Sequence, residues 1–155
     1  MKLRHTARIS AEPDRLWAAL MDVPGAAQCL PGVAAVTPLG PDEYRGSLLV
    51  QIGPVRLVLD GVIKVTARDD PKRSGSFRGE AKDLRLGGNV TANVEVAVRG
   101  AEEGCELAID GDLDVAGRIG AFARPVIERK VGQLLGQFGS CLGQRASTRP
   151  SDTSA

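Results

Sequence analysis

Between residues 33 and 116 one pattern recurs six times, at 33–39, 42–52, 54–68, 73–82, 89–99 and 104–116: apolar side chains on alternate positions, bounded by Gly, Pro or Asp. A period of two is the mark of a strand with one dry face. Connections of at most six residues between the runs leave no room for parallel crossovers, so the six form an antiparallel meander. The stretch "LLVQIGPVRLVLDGVIKV", Leu48 to Val65, shows the rule best, as two runs pinched at Gly53-Pro54. Alternation puts Tyr44, Gly46, Leu48, Val50 and Ile52 on the dry face, followed by Val55, Leu57, Leu59, Gly61, Ile63, Val65 and Ala67. Arg45, Arg56, Asp60, Lys64 and Arg68 lie opposite. Gly75, Phe77, Gly79 and Ala81, then Val90 to Val98, then Cys105 to Val115 continue the dry face, with Asp110, Asp112 and Asp114 on the wet one.

The flanks differ. Lys2 to Ile9 also alternates, with Leu3, His5, Ala7 and Ile9 on one side, giving a first strand. A short helix is expected over 12–21, carrying Leu16, Trp17 and Leu20 on one side and Pro13 in its first turn. A second is expected over 25–29, stopped by Leu30-Pro31-Gly32. From 118 to 144 the period becomes 3.6, and Ile119, Phe122, Val126, Val131, Leu134, Leu135, Phe138, Cys141 and Leu142 form one stripe. Pro125 should kink this helix or delay its regular start. At ~1.5 Å per residue it spans roughly 35 to 40 Å, enough to lie along the whole face of the long strands. The expected organisation is one domain over 1–144 and a disordered polar tail over 145–155.

Several function classes drop out. Lys+Arg 20 against Asp+Glu 19, with the basic residues scattered, gives no electrostatic footprint for nucleic acid. No run of ~18 apolar residues exists to span a membrane. Cys29, Cys105 and Cys141 are odd in number, far apart and in no CxxC spacing, which argues against a disulfide framework and a zinc site and for a reducing, cytoplasmic setting. Cys29, beside the Leu30-Pro31 turn, reads as buried or as a gate; Cys105 and Cys141 read as core. No catalytic constellation emerges. The only histidine, His5, lies inward between Leu3 and Ala7, the acidic row at Asp110, Asp112 and Asp114 resembles neither a calcium loop nor an acid pair, and Gly87-Gly88-Asn89 is too short for a phosphate loop.

Aromatics make up 3% of the chain and 19 residues are Gly. Gly46, Gly61, Gly75, Gly79, Ala81, Ala92 and Gly111 all fall on the dry face. Two readings fit: the glycines let long strands coil around a solid core, or they leave a cavity that an apolar ligand fills.

Strand, two short helices, six antiparallel strands and a long terminal helix is the order of the helix-grip fold, an α+β architecture in which a curved seven-stranded sheet wraps the last helix. The segments "ARISAEPDRLWAALMDVPGAAQCLPGV" (7–33), "VQIGPVRLVLDGVIKV" (50–65) and "GGNVTANVEVAV" (87–98) resemble the carbon monoxide dehydrogenase CoxG family of the START-like (SRPBCC) superfamily, over about residues 2–142. The resemblance implies a cytoplasmic accessory to molybdenum hydroxylases of the carbon monoxide dehydrogenase type, with an apolar cavity and no cofactor or redox centre of its own. Members often carry an extra C-terminal segment that engages the membrane; with a polar tail, this chain is expected to contact the membrane at most peripherally.

The expected ligand is a respiratory quinone or another lipid held between sheet and terminal helix. Its expected lining is Leu48, Val50, Leu57, Leu59, Phe77, Val94, Leu107, Phe122, Val126 and Leu134, with Trp17 and Leu30 near the mouth. Entry is expected through 118–126 and the 25–32 turn, which combine Gly with Pro. The protein is expected not to be an enzyme. Two rivals stand beside the carrier: a polyketide cyclase or aromatase using His5 and Tyr44, and an adaptor acting through its surface in dehydrogenase assembly or membrane recruitment.

Overall fold

A computed structural model describes residues 1–147. Its elements are β1 (Lys2–Ile9), α1 (Pro13–Met21), α2 (Val23–Ala27), β2 (Val33–Gly40), β3 (Glu43–Ile52), β4 (Val55–Asp69), β5 (Ser74–Asp83), β6 (Asn89–Ala101), β7 (Gly104–Ala116), a 3-10 turn (Gly117–Ala121) and α3 (Arg124–Ser147). The strands form one antiparallel sheet in the order β1-β7-β6-β5-β4-β3-β2. The meander expected from alternation is therefore present, and β1 closes it beside the last strand. Because β1 and β2 are opposite edges, α1 and α2 must carry the chain across the sheet from one rim to the other.

Three local differences from the expected pattern have physical causes. Helix α2 begins two residues earlier than expected: Pro24 sits in its first turn, where a missing N–H costs nothing, and Asp22 closes α1 and opens α2. A register shift between Val65 and Ala67 inserts a bulge into β4, so that Ala67 pairs with outward Ser76 and Arg68 with inward Gly75. The faces assigned to Ala67 and Arg68 are thereby exchanged, as one extra residue must do at period two. Arg68 then reaches the Met21 carbonyl at the end of α1. Finally, the terminal helix does not run unbroken from 118. The backbone is extended at Phe122, and α3 starts at Arg124 with Pro125 in its first turn, so Pro125 delays the helix. α3 also continues to Ser147, past the expected end of the domain; the rest of the expected tail, 148–155, lies outside the described residues.

The described residues form two cores. The first joins α1, β1, β6, β7 and the C-terminal half of α3 through Leu16, Trp17, Leu107, Cys105 and Leu142, with Phe77, Val94 and Leu135 packed against it. Gly139 and Gly143 bring α3 down onto β1: a Cβ at these positions would meet the Ala7 Cβ at 3.6 Å and the Ile9 Cγ2 at 2.9 Å. The second core is smaller, built on Val50, Ile52, Leu57 and Ile119, with Leu48, Leu59, Leu86, Val90 and Phe122 around it.

The three cysteines correct the sequence-based expectation. Cys29 and Cys141 form a disulfide with Cα atoms 5.3 Å apart, although 112 residues separate them in sequence. Cys105 alone is free and buried, and burial pushes its thiol pKa up. Spacing along the chain carries no information about such a pair; only the docking of α3 beside the α2 exit brings the two Cβ atoms together.

Candidate functional site: an apolar cleft under the Leu30 turn

Three rows of paired residues cross the inner face of the sheet away from α1. One row runs Gly46, Gly61, Ala81, Val90; a second runs Tyr44, Ile63, Gly79, Ala92; a third holds Leu48 and Leu59. Where neighbouring strands all present Gly or Ala, the sheet offers nothing to fill the space above it. The result is a cleft of about 310 Å³. Its floor is these residues, and its other wall is Ala27, Leu30, Val33 and Val36, from the α2 exit and β2.

The glycines of this floor do different jobs. A Cβ on Gly61 would lie 2.3 Å from the Glu80 carbonyl oxygen, so close strand approach excludes any side chain there. A Cβ on Gly79 would come no nearer than 4.0 Å, to the Val62 carbonyl oxygen. Coiling of the sheet and room above it thus coexist, at different positions.

Leu30, Leu48 and Leu59, among the residues expected to bind ligand, line the cleft. Val50 and Leu57 are buried in the second core below it, with Phe122 packed against them. Trp17 and Leu107 belong to the interior of the first core, Phe77 and Val94 pack on that core, and the Trp17 indole N–H donates to Asp70 at 2.8 Å. Leu134 is half-buried on α3, and Val126 is 44% exposed, while its neighbour Ile127 is 8% exposed. The cleft therefore faces the Leu30 turn, and no described residue of α3 lines it. Sequence reasoning passed over Ala27, Val33, Val36 and Ile63 as lining; the crossing of α2 over the sheet brings Ala27 to it, and the pairing of β2 with β3, Val33 opposite Leu48, brings Val33 and Val36.

The electrostatics are quiet. Arg45 on β3 and Asp60 on β4 pair at 2.9 Å; the hydrogen bond from Arg45 chiefly holds the Asp60 carboxyl below its ordinary pKa, and that bond raises Arg45. The acidic row of β7 is an ion-paired outer face, Asp110 with Arg4 at 3.0 Å and Asp112 with Lys2 at 2.9 Å. Among the described residues no group of three or more His, Cys, Asp or Glu could hold a metal. Asp83, 6% exposed beside the second core, accepts from the backbone N–H groups of Val58, Leu86 and Gly87. Desolvation pushes its pKa up, but these bonds and one from Arg85 outweigh it and leave the carboxyl below its ordinary value. His5 points inward from β1 with its Nε2 buried and unpartnered. Among the described residues no helix is long and apolar enough to cross a membrane.

A curved antiparallel sheet, two short helices over its rim, a long C-terminal helix and an apolar cleft define the START-like (SRPBCC) class. Solved structures agree on this fold. A conserved protein from Geobacillus kaustophilus is 18% identical, with a TM-score of 0.85 and 95% of each chain covered. The Zhui aromatase/cyclase from Streptomyces sp. R1128 is 18% identical, with a TM-score of 0.65 and 97% of each chain covered. A START superfamily protein from Mycobacterium smegmatis is 14% identical, with a TM-score of 0.67, covering 94% of this chain and 96% of that one. Residues 6–147 match the carbon monoxide dehydrogenase CoxG family, and the chain belongs to that family. No curated protein sequence matches.

Proposed function

We propose that this protein is a non-catalytic carrier that holds an apolar molecule, a respiratory quinone foremost, in the cleft under the Leu30 turn. It would serve a carbon monoxide dehydrogenase-type molybdenum hydroxylase in the cytoplasm, at the inner face of the membrane. The cleft carries this reading. Its volume of about 310 Å³ lies at the lower end of small-molecule sites, and an aliphatic lining with few polar groups is what such sites present to an apolar guest. The enzyme link rests on the family: electrons from such an enzyme must reach the membrane, where quinones reside.

A catalytic use of the fold draws support from the likeness to an aromatase/cyclase. It would need His5 and Tyr44 to act together. Tyr44 lines the cleft, whereas His5, on the edge strand β1, does not. Having only one of the two polar groups at the cleft favours holding over turnover.

The deciding experiment is organic extraction of the untreated protein followed by mass spectrometry, with titration of a short-chain quinone into the extracted chain. Stoichiometric apolar cargo and saturable binding that Gly79→Leu removes are expected. No cargo and no saturation would overturn the carrier reading. A change in any tested cyclase turnover on His5→Ala or Tyr44→Phe would favour the enzyme.

A further inference from the structure

The Cys29–Cys141 bond stands between two open spaces. Cys29 is 4% exposed and adjoins Leu30, which lines the cleft together with Ala27 on the other side of the turn. Cys141 is half-buried at an open patch on the outer face of α3, among Gly132, Gln133, Gly136, Gln137, Ser140 and Gln144. Gly132 and Gly136 put no side chain over this patch, and a Cβ at either would meet nothing within 4 Å. The bond therefore ties one wall of the cleft to α3, and Cys141, packed on the first core, is its partly exposed end. A second tie between the same parts, Asp22 with Arg145 at 3.9 Å, is exposed on both sides and weak in salt. In a reducing compartment disulfides are mostly transient, redox-sensing or catalytic.

We propose that Cys29–Cys141 is a reversible redox latch on the cleft, opened by a dithiol that attacks Cys141 from the outer face of α3, so that release of the Leu30 turn speeds exchange of the apolar ligand. The inference rests on the carrier reading and its cytoplasmic setting. A thiolate of the dithiol attacks Cys141 Sγ, forming a mixed disulfide and expelling the Cys29 thiolate, which takes a proton. The second thiol of the same molecule then attacks its own sulfur in that mixed disulfide, closing a disulfide and releasing Cys141 as a thiol. The dithiol loses two electrons and two protons, and the cysteine pair gains both. Cys105, buried in the first core, takes no part.

The test uses the full chain, oxidised, at neutral pH without denaturant. A monothiol such as glutathione is added first and the adduct mapped by peptide mass spectrometry; attachment at Cys141 is expected, and attachment only at Cys29 would overturn the assigned route. Hydrogen exchange is then compared before and after dithiothreitol. A tenfold or greater rise confined to residues 26–33 supports the latch. Unchanged exchange, reduction only in denaturant, or loss of the far-ultraviolet circular dichroism signal on reduction would each overturn it, the last making the bond a structural staple. Stopped-flow binding of an apolar fluorescent probe, anilinonaphthalene sulfonate, should be several-fold faster in the reduced chain. A double variant, Cys29→Ser with Cys141→Ser, should match that rate and ignore dithiothreitol. A chain that binds neither probe nor quinone in either state defeats the carrier reading, while hydrogen exchange still decides whether the turn is latched.

Discussion

The two ends of the inner sheet face are built from the same kinds of strand yet reach opposite outcomes. Under α1 and the C-terminal half of α3, bulky residues meet from both layers, and Leu16, Leu107, Leu142 and Cys105 are fully buried. Over β3 to β6 the sheet presents Gly46, Gly61, Ala81, Gly79 and Ala92 in adjoining rows, the wall opposite is the short α2–β2 connection, and a cleft remains. A strand's apolar pattern secures a dry face; whether that face is filled depends on the size of its residues summed across neighbouring strands and on what crosses above.

Substitutions that shorten side chains should separate the two ends most sharply. Leu107→Ala is expected to cost about 3 to 4 kcal/mol in urea unfolding, since a fully buried leucine leaves a cavity, whereas Leu59→Ala at the cleft wall should cost about 1 kcal/mol because space already adjoins it. Equal losses would mean that the cleft is packed in solution. Next in size is Asp83→Ala, expected at about 2 to 3 kcal/mol because it strands the backbone donors of Val58, Leu86 and Gly87. Gly79→Leu should weaken quinone binding at least tenfold, or about 1.4 kcal/mol, while leaving the urea midpoint nearly unchanged. Gly61→Leu, facing the Glu80 carbonyl, should instead lower the midpoint.

The smallest expected effect is on acid stability. Asp83 has a folded pKa below its unfolded value, so its stabilisation is complete above about pH 4 and is lost as pH falls through the folded pKa. Asp83→Asn should flatten the stability profile in that acid range and leave the slope near neutrality untouched. An unaltered acid slope would show that the loop closing the second core does not depend on this carboxylate.

The strands and the order of elements were legible because period two and its turn residues are local properties. What escaped were phase changes. The bulge after Val65 exchanged Ala67 and Arg68 between faces, and nothing in the residues around Thr66 announces it. On the terminal helix, one continuous 3.6 period from Ile119 put Val126 inward, but the extended backbone at Phe122 resets the phase and makes Ile127 the buried residue. The site was half legible for the same reason. Leu48 and Leu59 follow from alternation and Leu30 from its turn, whereas the remaining wall exists only because α2 passes over the sheet, bringing Ala27, and β2 pairs with β3, bringing Val33 and Val36.

By itself the amino-acid order determined an antiparallel sheet with one dry face, small residues concentrated on it, and a long amphipathic helix to follow, since each is written in spacing between near neighbours. Only the tertiary structure decided which part of that face is covered, that Cys29 meets Cys141, and that the open space lies beneath the Leu30 turn. Those outcomes depend on distances between segments that local periodicity does not encode.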